Sequence, residues 1–274
     1  MDYRSYELFF TDVFPWRDIA ISEMAELGFE SFSETKTGVL GYIQVLEDSE
    51  EIFAQVKSLE GVDRIEVNDI VTENWNQKWE DNFDPVYVDT KLAIVAPFHA
   101  DFDSCDMTIV IQPQMSFGTG HHQTTWLISK RLFDLELEGK EVMDMGTGTG
   151  VLAILAEKLG GKNIFAPDID EWSYKNALEN AERNECQEIE VAHGGHELVR
   201  ERTFDIVIAN INKNILIENF SVYSRAVRPQ GTLILSGFFK TDKDELVACA
   251  MEYGFVFEVE LSKDEWSMLE FKRN

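Results

Sequence analysis

The chain has 274 residues, 44% of them apolar and 19 of them Phe, which is enough for one large domain or one large and one small, and excludes a disordered polypeptide. No run of about 18 uncharged apolar residues occurs, and the opening MDYRSYELFF carries charge where a secretory leader needs an apolar stretch, so no membrane association and a soluble, cytoplasmic protein are expected. The formal charge of −27 argues against direct nucleic-acid binding, which draws on Lys and Arg to release counterions; a basic protein partner fits it better, although an acidic surface also serves solubility alone.

Residues 3 to 71 alternate in character. YRSYELFFT, GVLGYIQV and DRIEVNDIV read as strands, PWRDIAISEMAELGF and SEEIFAQVKSL as helices, with room for one more strand near 30 to 36. This order predicts a small α+β domain of the ferredoxin-like sort over residues 1–71. It holds no catalytic cluster and reads as a substrate-recognition or scaffolding module. Within the next stretch, 72–83, ENWNQKWEDNF spaces Trp75, Trp79 and Phe83 by four, which predicts a linker helix with one aromatic stripe, serving either core packing or a hinge face that touches substrate.

Residues 84–274 carry a second pattern. PVYVDTKLAIVAPF and MTIVIQPQM read as a pair of strands leading into SFGTGHHQTTWLISKRLFDL, whose later part should be a helix starting near Gln123 or Thr124. Beyond it EVMDM, NIFAPDID, EIEVAHGG, FDIVIANI and GTLILSGFF read as strands separated by helices, including one from about 213 to 227 and one from about 241 to 253. FVFEVELSKDEWSMLEFKR holds two strands with no helix between them, which makes an antiparallel hairpin at one edge. Strands recurring between helices predict an α/β, Rossmann-like domain with a mostly parallel sheet covered on both faces.

In such a sheet ligands sit at the carboxyl ends of the strands, near the point where strand order reverses. Asp144 followed by Gly146, Gly148 and Gly150 ends one strand and opens the helix VLAILAEKLG, a turn suited to a nucleotide-like cofactor. A dinucleotide fingerprint would want Gly or Ala at 151, where the chain has Val151. Asp168 and Asp170, about 20 residues beyond the glycines, both qualify to take ribose hydroxyls, and Asp168 is preferred. In SFGTGHHQTT, the glycines with Thr119, Thr124 and Thr125 are expected to fold over the cofactor from the other side. His121 and His122 are adjacent and diverge, with no carboxylate at ligand spacing, and Cys105, Cys186 and Cys249 lack CxxC spacing, so no metal is expected. Asn210 and Asn212 end the strand FDIVIANI, as site residues or as turn formers, and Phe117 and Trp266 are candidates for an aromatic wall or for core.

The glycine turn with its preceding acid resembles motif I of S-adenosylmethionine-dependent methyltransferases. The combination PQMSFGTGHHQTT, MDMGTGTGVLAILAEKLG, PDID, ANI and DEWSMLEFKR resembles the bacterial ribosomal protein L-eleven methyltransferase family. The resemblance implies a seven-stranded class I methyltransferase domain, S-adenosyl-L-methionine as cofactor, and methylation of lysine ε-amines and the N-terminal α-amine of large-subunit ribosomal protein eleven. It implies cofactor contacts at Thr125, Gly146, Asp168 and Asn210, to which Phe117, Thr119, Asp144, Gly148 and Gly150 are added as neighbours. Asn210, Asn212 and Trp266 are the expected catalytic residues, the amides facing the reacting amine. The family continues NI with Leu and a small residue, whereas this chain has Asn212 and Lys213. The competing readings are a glutamine amide or a small molecule as acceptor, and a non-catalytic protein-binding module on the same fold.

Overall fold

Alternation along YRSYELFF sets Tyr6, Leu8 and Phe10 on one side of strand β1 (Tyr3–Phe10), and all three are buried. A computed structural model describes this strand within residues 2–70, 80, 82–114 and 116–274 of the chain. The chain divides into two compact units, Met1–Asn82 and Phe83–Asn274. The expected linker helix, with Trp75 and Trp79, lies outside the described residues, apart from its last positions.

In the first unit β1 is followed by α1 (Trp16–Glu26), β2 (Ser31–Glu34), β3 (Gly38–Gln44), α2 (Glu50–Lys57) and β4 (Val62–Ile70). The strands form one antiparallel sheet in the order β2-β3-β1-β4. Ala20 and Met24 of α1 and Val56 of α2 close its core against Tyr6, Leu8, Phe10, Val39 and Ile43. Ser49 starts α2 by accepting the Ile52 N–H at 3.2 Å, and Glu50 and Glu51 sit at the positive end of the helix dipole.

The second unit opens with a small sheet, β5 (Val86–Val88), β6 (Leu92–Val95) and β7 (Met107–Val110), in which β5 and β6 are antiparallel and β6 and β7 parallel. PVYVDTKLAIVAPF, expected as one strand, is therefore two. Asp89 takes φ +49, the left-handed conformation that Asp tolerates in a tight turn, and folds the segment back on itself. Helix α3 (Gln123–Leu132) is capped by His122, whose Nδ1 accepts the Thr124 N–H at 3.3 Å.

The main sheet is laid down by β8 (Glu141–Met145), α4 (Val151–Lys158), β9 (Lys162–Asp168), α5 (Glu171–Arg183), β10 (Ile189–His193), β11 (Phe204–Asn210), α6 (Lys213–Glu218), α7 (Phe220–Ala226), β12 (Val227–Phe239), α8 (Lys243–Glu252), β13 (Phe255–Lys263) and β14 (Trp266–Arg273). Its seven strands run β10-β9-β8-β11-β12-β14-β13. The first five are parallel, and β14 is antiparallel to both its neighbours. Val142, Ile206 and Ile208 pack on one face with α3 and α4, while Met143, Val207 and Leu233 pack on the other with α7 and α8. The expected helix from 213 to 227 is broken at Asn219, where the Ile215 carbonyl accepts both the Asn219 N–H at 3.1 Å and its Nδ2 at 2.8 Å, closing the first helix there.

Chain order reverses between β8 and β11, so the crevice of this sheet opens where Met145 and Asn210 end. Because β14 runs antiparallel, its first residue, Trp266, reaches that same edge beside Phe239.

Candidate active site

At the end of β8 the backbone must turn sharply into α4, and it does so through left-handed conformations, φ +73 at Gly146 and +58 at Gly148. A Cβ at Gly146 would stand 2.6 Å from Ile211 Cγ2, and one at Gly148 would stand 2.2 Å from the Phe117 carbonyl oxygen. The space that Gly148 leaves is thus filled by another loop of the same chain. Gly150, φ +84, caps α4.

The two acids after β9 divide their work. Asp168 is 8% exposed; its Oδ2 accepts the Gly148 N–H at 2.8 Å and its Oδ1 the Asp170 N–H at 2.9 Å. Each oxygen keeps a second lone pair for a hydroxyl. Asp170 caps α5 by accepting the Ser173 N–H at 2.8 Å. Asp144, one turn behind the glycines, is fully enclosed and accepts the Thr147 hydroxyl at 2.6 Å. Burial pushes its carboxyl up to about 6; the Thr147 bond opposes this and the Asp168 charge adds to it.

Across the crevice, Asn210 Nδ2 donates to Thr125 Oγ1 at 3.3 Å. Thr125 is wholly buried in the first turn of α3. The Asn210 Oδ1 is buried and has no hydrogen-bond partner among the described residues, an acceptor whose desolvation they leave uncompensated. Asn212 is placed differently, its Oδ1 capping α6 through the Ile215 N–H at 3.2 Å.

These groups line one cavity of about 470 Å³, within the range of small-molecule sites. Gly146, Gly148, Asp144 and Asp168 form its floor, Thr125 and Asn210 one wall, and Phe117, His122 and Trp266 another. The His122 ring meets Trp266 edge-on at 4.5 Å and Phe117 at 5.2 Å, and Trp266 packs on Phe239 at 4.4 Å. Burial lowers the His122 pKa below that of an ordinary imidazole, so this wall is uncharged at neutral pH. An acid-bearing glycine floor, an unpartnered acceptor and apolar walls fit a nucleoside-containing cofactor with an acceptor group beside it.

Of the residues singled out from the sequence, Phe117, Thr125, Asp144, Gly146, Gly148, Asp168, Asn210, Asn212 and Trp266 line this cavity. Gly150, which caps α4, and Thr119 do not; the Thr119 hydroxyl meets His121 Nδ1 at 3.2 Å, and His121 Nε2 meets the Asp84 carbonyl at 2.8 Å. Sequence reasoning weighed His122 only as a metal ligand, whereas it stands in the cavity wall. Ile211, Ile215 and Gly237 also line the space and were not foreseen. The Gly237 signal was present in GTLILSGFF, since a glycine inside a strand marks close approach of another backbone. A Cβ there would lie 2.2 Å from the Ile211 carbonyl oxygen.

A family model described as ribosomal protein L11 methyltransferase (PrmA) matches residues 16–274. The chain is 41% identical over 260 residues to the ribosomal protein L11 methyltransferase of Porphyromonas gingivalis, covering 93% of this chain and 90% of that one. It is 39% identical over 263 residues to that of Bacteroides thetaiotaomicron, covering 93% of each. Among solved structures, the ribosomal protein L11 methylase of Lactobacillus delbrueckii subsp. bulgaricus is similar with a TM-score of 0.64 and 27% identity, over 70% of this chain and 99% of that one.

Proposed function

Because the chain belongs to the ribosomal protein L11 methyltransferase family, we propose that it transfers methyl groups to lysine ε-amines and the N-terminal α-amine of that ribosomal protein. It is an S-adenosylmethionine-dependent methyltransferase, and its catalytic domain is read as the seven-stranded class I form. S-adenosylmethionine, held by Gly146, Gly148, Asp144, Asp168 and Thr125, supplies an electrophilic methyl group on a sulfonium.

The observation that carries this reading is the buried, unpartnered Oδ1 of Asn210. An amine must be neutral to attack, and a lysine amine with an ordinary pKa of about 10.4 is protonated at neutral pH. Transfer into a cavity walled by Trp266, neutral His122 and Phe117 disfavours the ammonium form. The Asn210 oxygen then accepts an N–H of the neutral amine and turns its lone pair toward the methyl group. Rate comes from this orientation and from exclusion of water, and the proton released leaves to solvent. Asn212, engaged in capping α6, acts through the placement of Asn210.

The first unit, with its βαββαβ order and antiparallel sheet, is read as a ferredoxin-like recognition domain. Residues 2–70 hold 16 Asp and Glu against 5 Lys and Arg, a charge complementary to a ribosomal protein that itself must bind RNA. The reaction is accordingly assigned to the cytoplasm. The test is transfer of labelled methyl from S-adenosylmethionine to purified ribosomal protein L11 from the same cell, with mass mapping of the product. Label on its amines supports the reading; cofactor binding with label only on glutamine amides or a small molecule replaces the acceptor.

A further inference from the structure

Two glycine-rich segments, distant in sequence, interlock at Thr149. This residue is wholly buried between Gly148 and Gly150 and uses every polar atom it has. Its N–H donates to the Phe117 carbonyl at 2.9 Å, and its hydroxyl donates to the Gly118 carbonyl at 2.6 Å. Its own carbonyl accepts from Asn180 Nδ2 at 2.9 Å. Asn180 is 0% exposed on α5, and its Oδ1 accepts the Gln112 N–H at 2.8 Å, so the same side chain also holds the segment that follows β7 toward the Phe117 loop. The fit leaves no slack: a Cβ at Gly148 would strike the Phe117 carbonyl at 2.2 Å, and one at Gly118 would come within 3.0 Å of the Thr149 hydroxyl.

The consequence reaches the cavity through Phe117. Its backbone is pinned on the glycine turn while its side chain, 60% exposed, lines the mouth against His122. We propose that Thr149 is a positioning residue whose hydroxyl, backed by Asn180, locks the Phe117–Gly118 segment over the cofactor floor and so sets cofactor affinity. The hydroxyl, and not the methyl group, is what position 149 requires. This rests on the cavity being the S-adenosylmethionine site, but the lock itself is a property of the free chain.

The test compares Thr149→Val, which keeps the shape and loses the donor, with Thr149→Ser, which keeps the donor. Amide hydrogen exchange on the cofactor-free full-length chain reads the lock, and calorimetric titration with S-adenosylmethionine reads its effect. In the wild type the Thr149 amide should be strongly protected. In Thr149→Val, exchange over residues 116–120 should rise with β8 unchanged, and the Kd should rise about tenfold, as expected for one lost buried hydrogen bond. Thr149→Ser should restore both. Wild-type exchange at Thr149 as fast as in an open loop overturns the proposal, whether or not the valine variant folds. So does a valine variant with wild-type exchange and affinity, or a serine variant as impaired as valine. Failure of the wild type to bind S-adenosylmethionine would instead overturn the cofactor reading, and exchange would still judge the lock.

Discussion

Asn210 and Thr125 meet at 3.3 Å across 85 residues of chain, and only the amino end of the amide is used in the contact. Thr125 fixes which way the amide faces, and that orientation leaves the oxygen without a partner among the described residues, as the proposed role in holding an amine requires. Replacing Asn210 by Ala should lower kcat about a hundredfold, the scale of losing one preorganised polar group at a reacting centre. The Kd for S-adenosylmethionine should change less than about threefold, because one neutral contact at a site edge contributes little to binding. Steady-state kinetics with parallel titration checks the split; equal losses in both would make Asn210 a cofactor ligand alone.

Asp144 gives stability a pH dependence of uncommon sign. Its pKa in the fold, about 6, lies above the ordinary aspartate value of 3.8, so the folded chain keeps a proton that the unfolded chain has lost. This contribution is therefore lost as pH rises through the interval from about 4 to about 6, and amounts at most to about 3 kcal/mol. Urea unfolding of wild type and Asp144→Asn between pH 4 and 7.5 checks it. The difference between the two curves should slope across that interval and flatten above it.

The glycines of the chain differ in what confines them. Gly148 and Gly139 both have positive φ, +58 and +71, but a Cβ at Gly139 meets nothing within 4 Å while one at Gly148 meets the Phe117 carbonyl at 2.2 Å. Gly139→Ala should cost about 1 kcal/mol, the backbone term alone. Gly148→Ala should cost at least about 2 kcal/mol and weaken cofactor binding as well. Denaturant unfolding of both variants tests the contrast, and similar values would show that the Phe117 loop yields freely.

Arg131 and Glu270 join α3 to β14 with a forked contact, Nε to Oε2 at 2.6 Å and Nη2 to Oε1 at 3.1 Å, and the Glu270 side chain is 3% exposed. Removing the acid alone leaves a guanidinium in a poorly solvated place. Glu270→Ala should destabilise by about 3 kcal/mol, while the paired change Arg131→Met with Glu270→Leu should recover most of it. Thermal and urea unfolding of the single and double variants measure the coupling.

A chain lacking residues 1–71 should still bind S-adenosylmethionine with near wild-type Kd and lose most methylation of the folded ribosomal protein. Titration and labelled-methyl transfer on the shortened chain check this. Efficient transfer would remove the recognition role from the first unit.

What could be read in the sequence was what local backbone chemistry dictates. The glycine turn announces itself because φ near +60 to +90 at alternate residues admits little else, and Asp168 follows at the distance one crossover helix imposes. The parallel strands were legible as apolar runs between helices. Asp89 and Asn219 were not, because a single residue that makes a turn or ends a helix with its side chain leaves the apolar pattern nearly unchanged. The direction of the Phe117 loop depends on Thr149 and Asn180, which lie 31 or more residues further along the chain. Thr119 therefore looked equivalent to Thr125 in the sequence and is bonded to His121 outside the cavity lining in the fold, and His122 became a wall residue only once β14 delivered Trp266 to it.

The antiparallel course of β14 makes a remote-looking hairpin tip into a neighbour of the chemistry. Asp264 accepts from Gln123 at 3.0 Å and the Glu265 carbonyl accepts the Lys240 N–H at 2.9 Å, so the tip sits beside the start of α3 and the end of β12. The glycine floor takes no part in it. Residues exchanged at this tip would act first on Trp266, the cavity-wall residue that follows it, and leave the glycine turn as it is. A two-residue turn thereby sets the place of an aromatic side chain that the rest of the sheet could not supply.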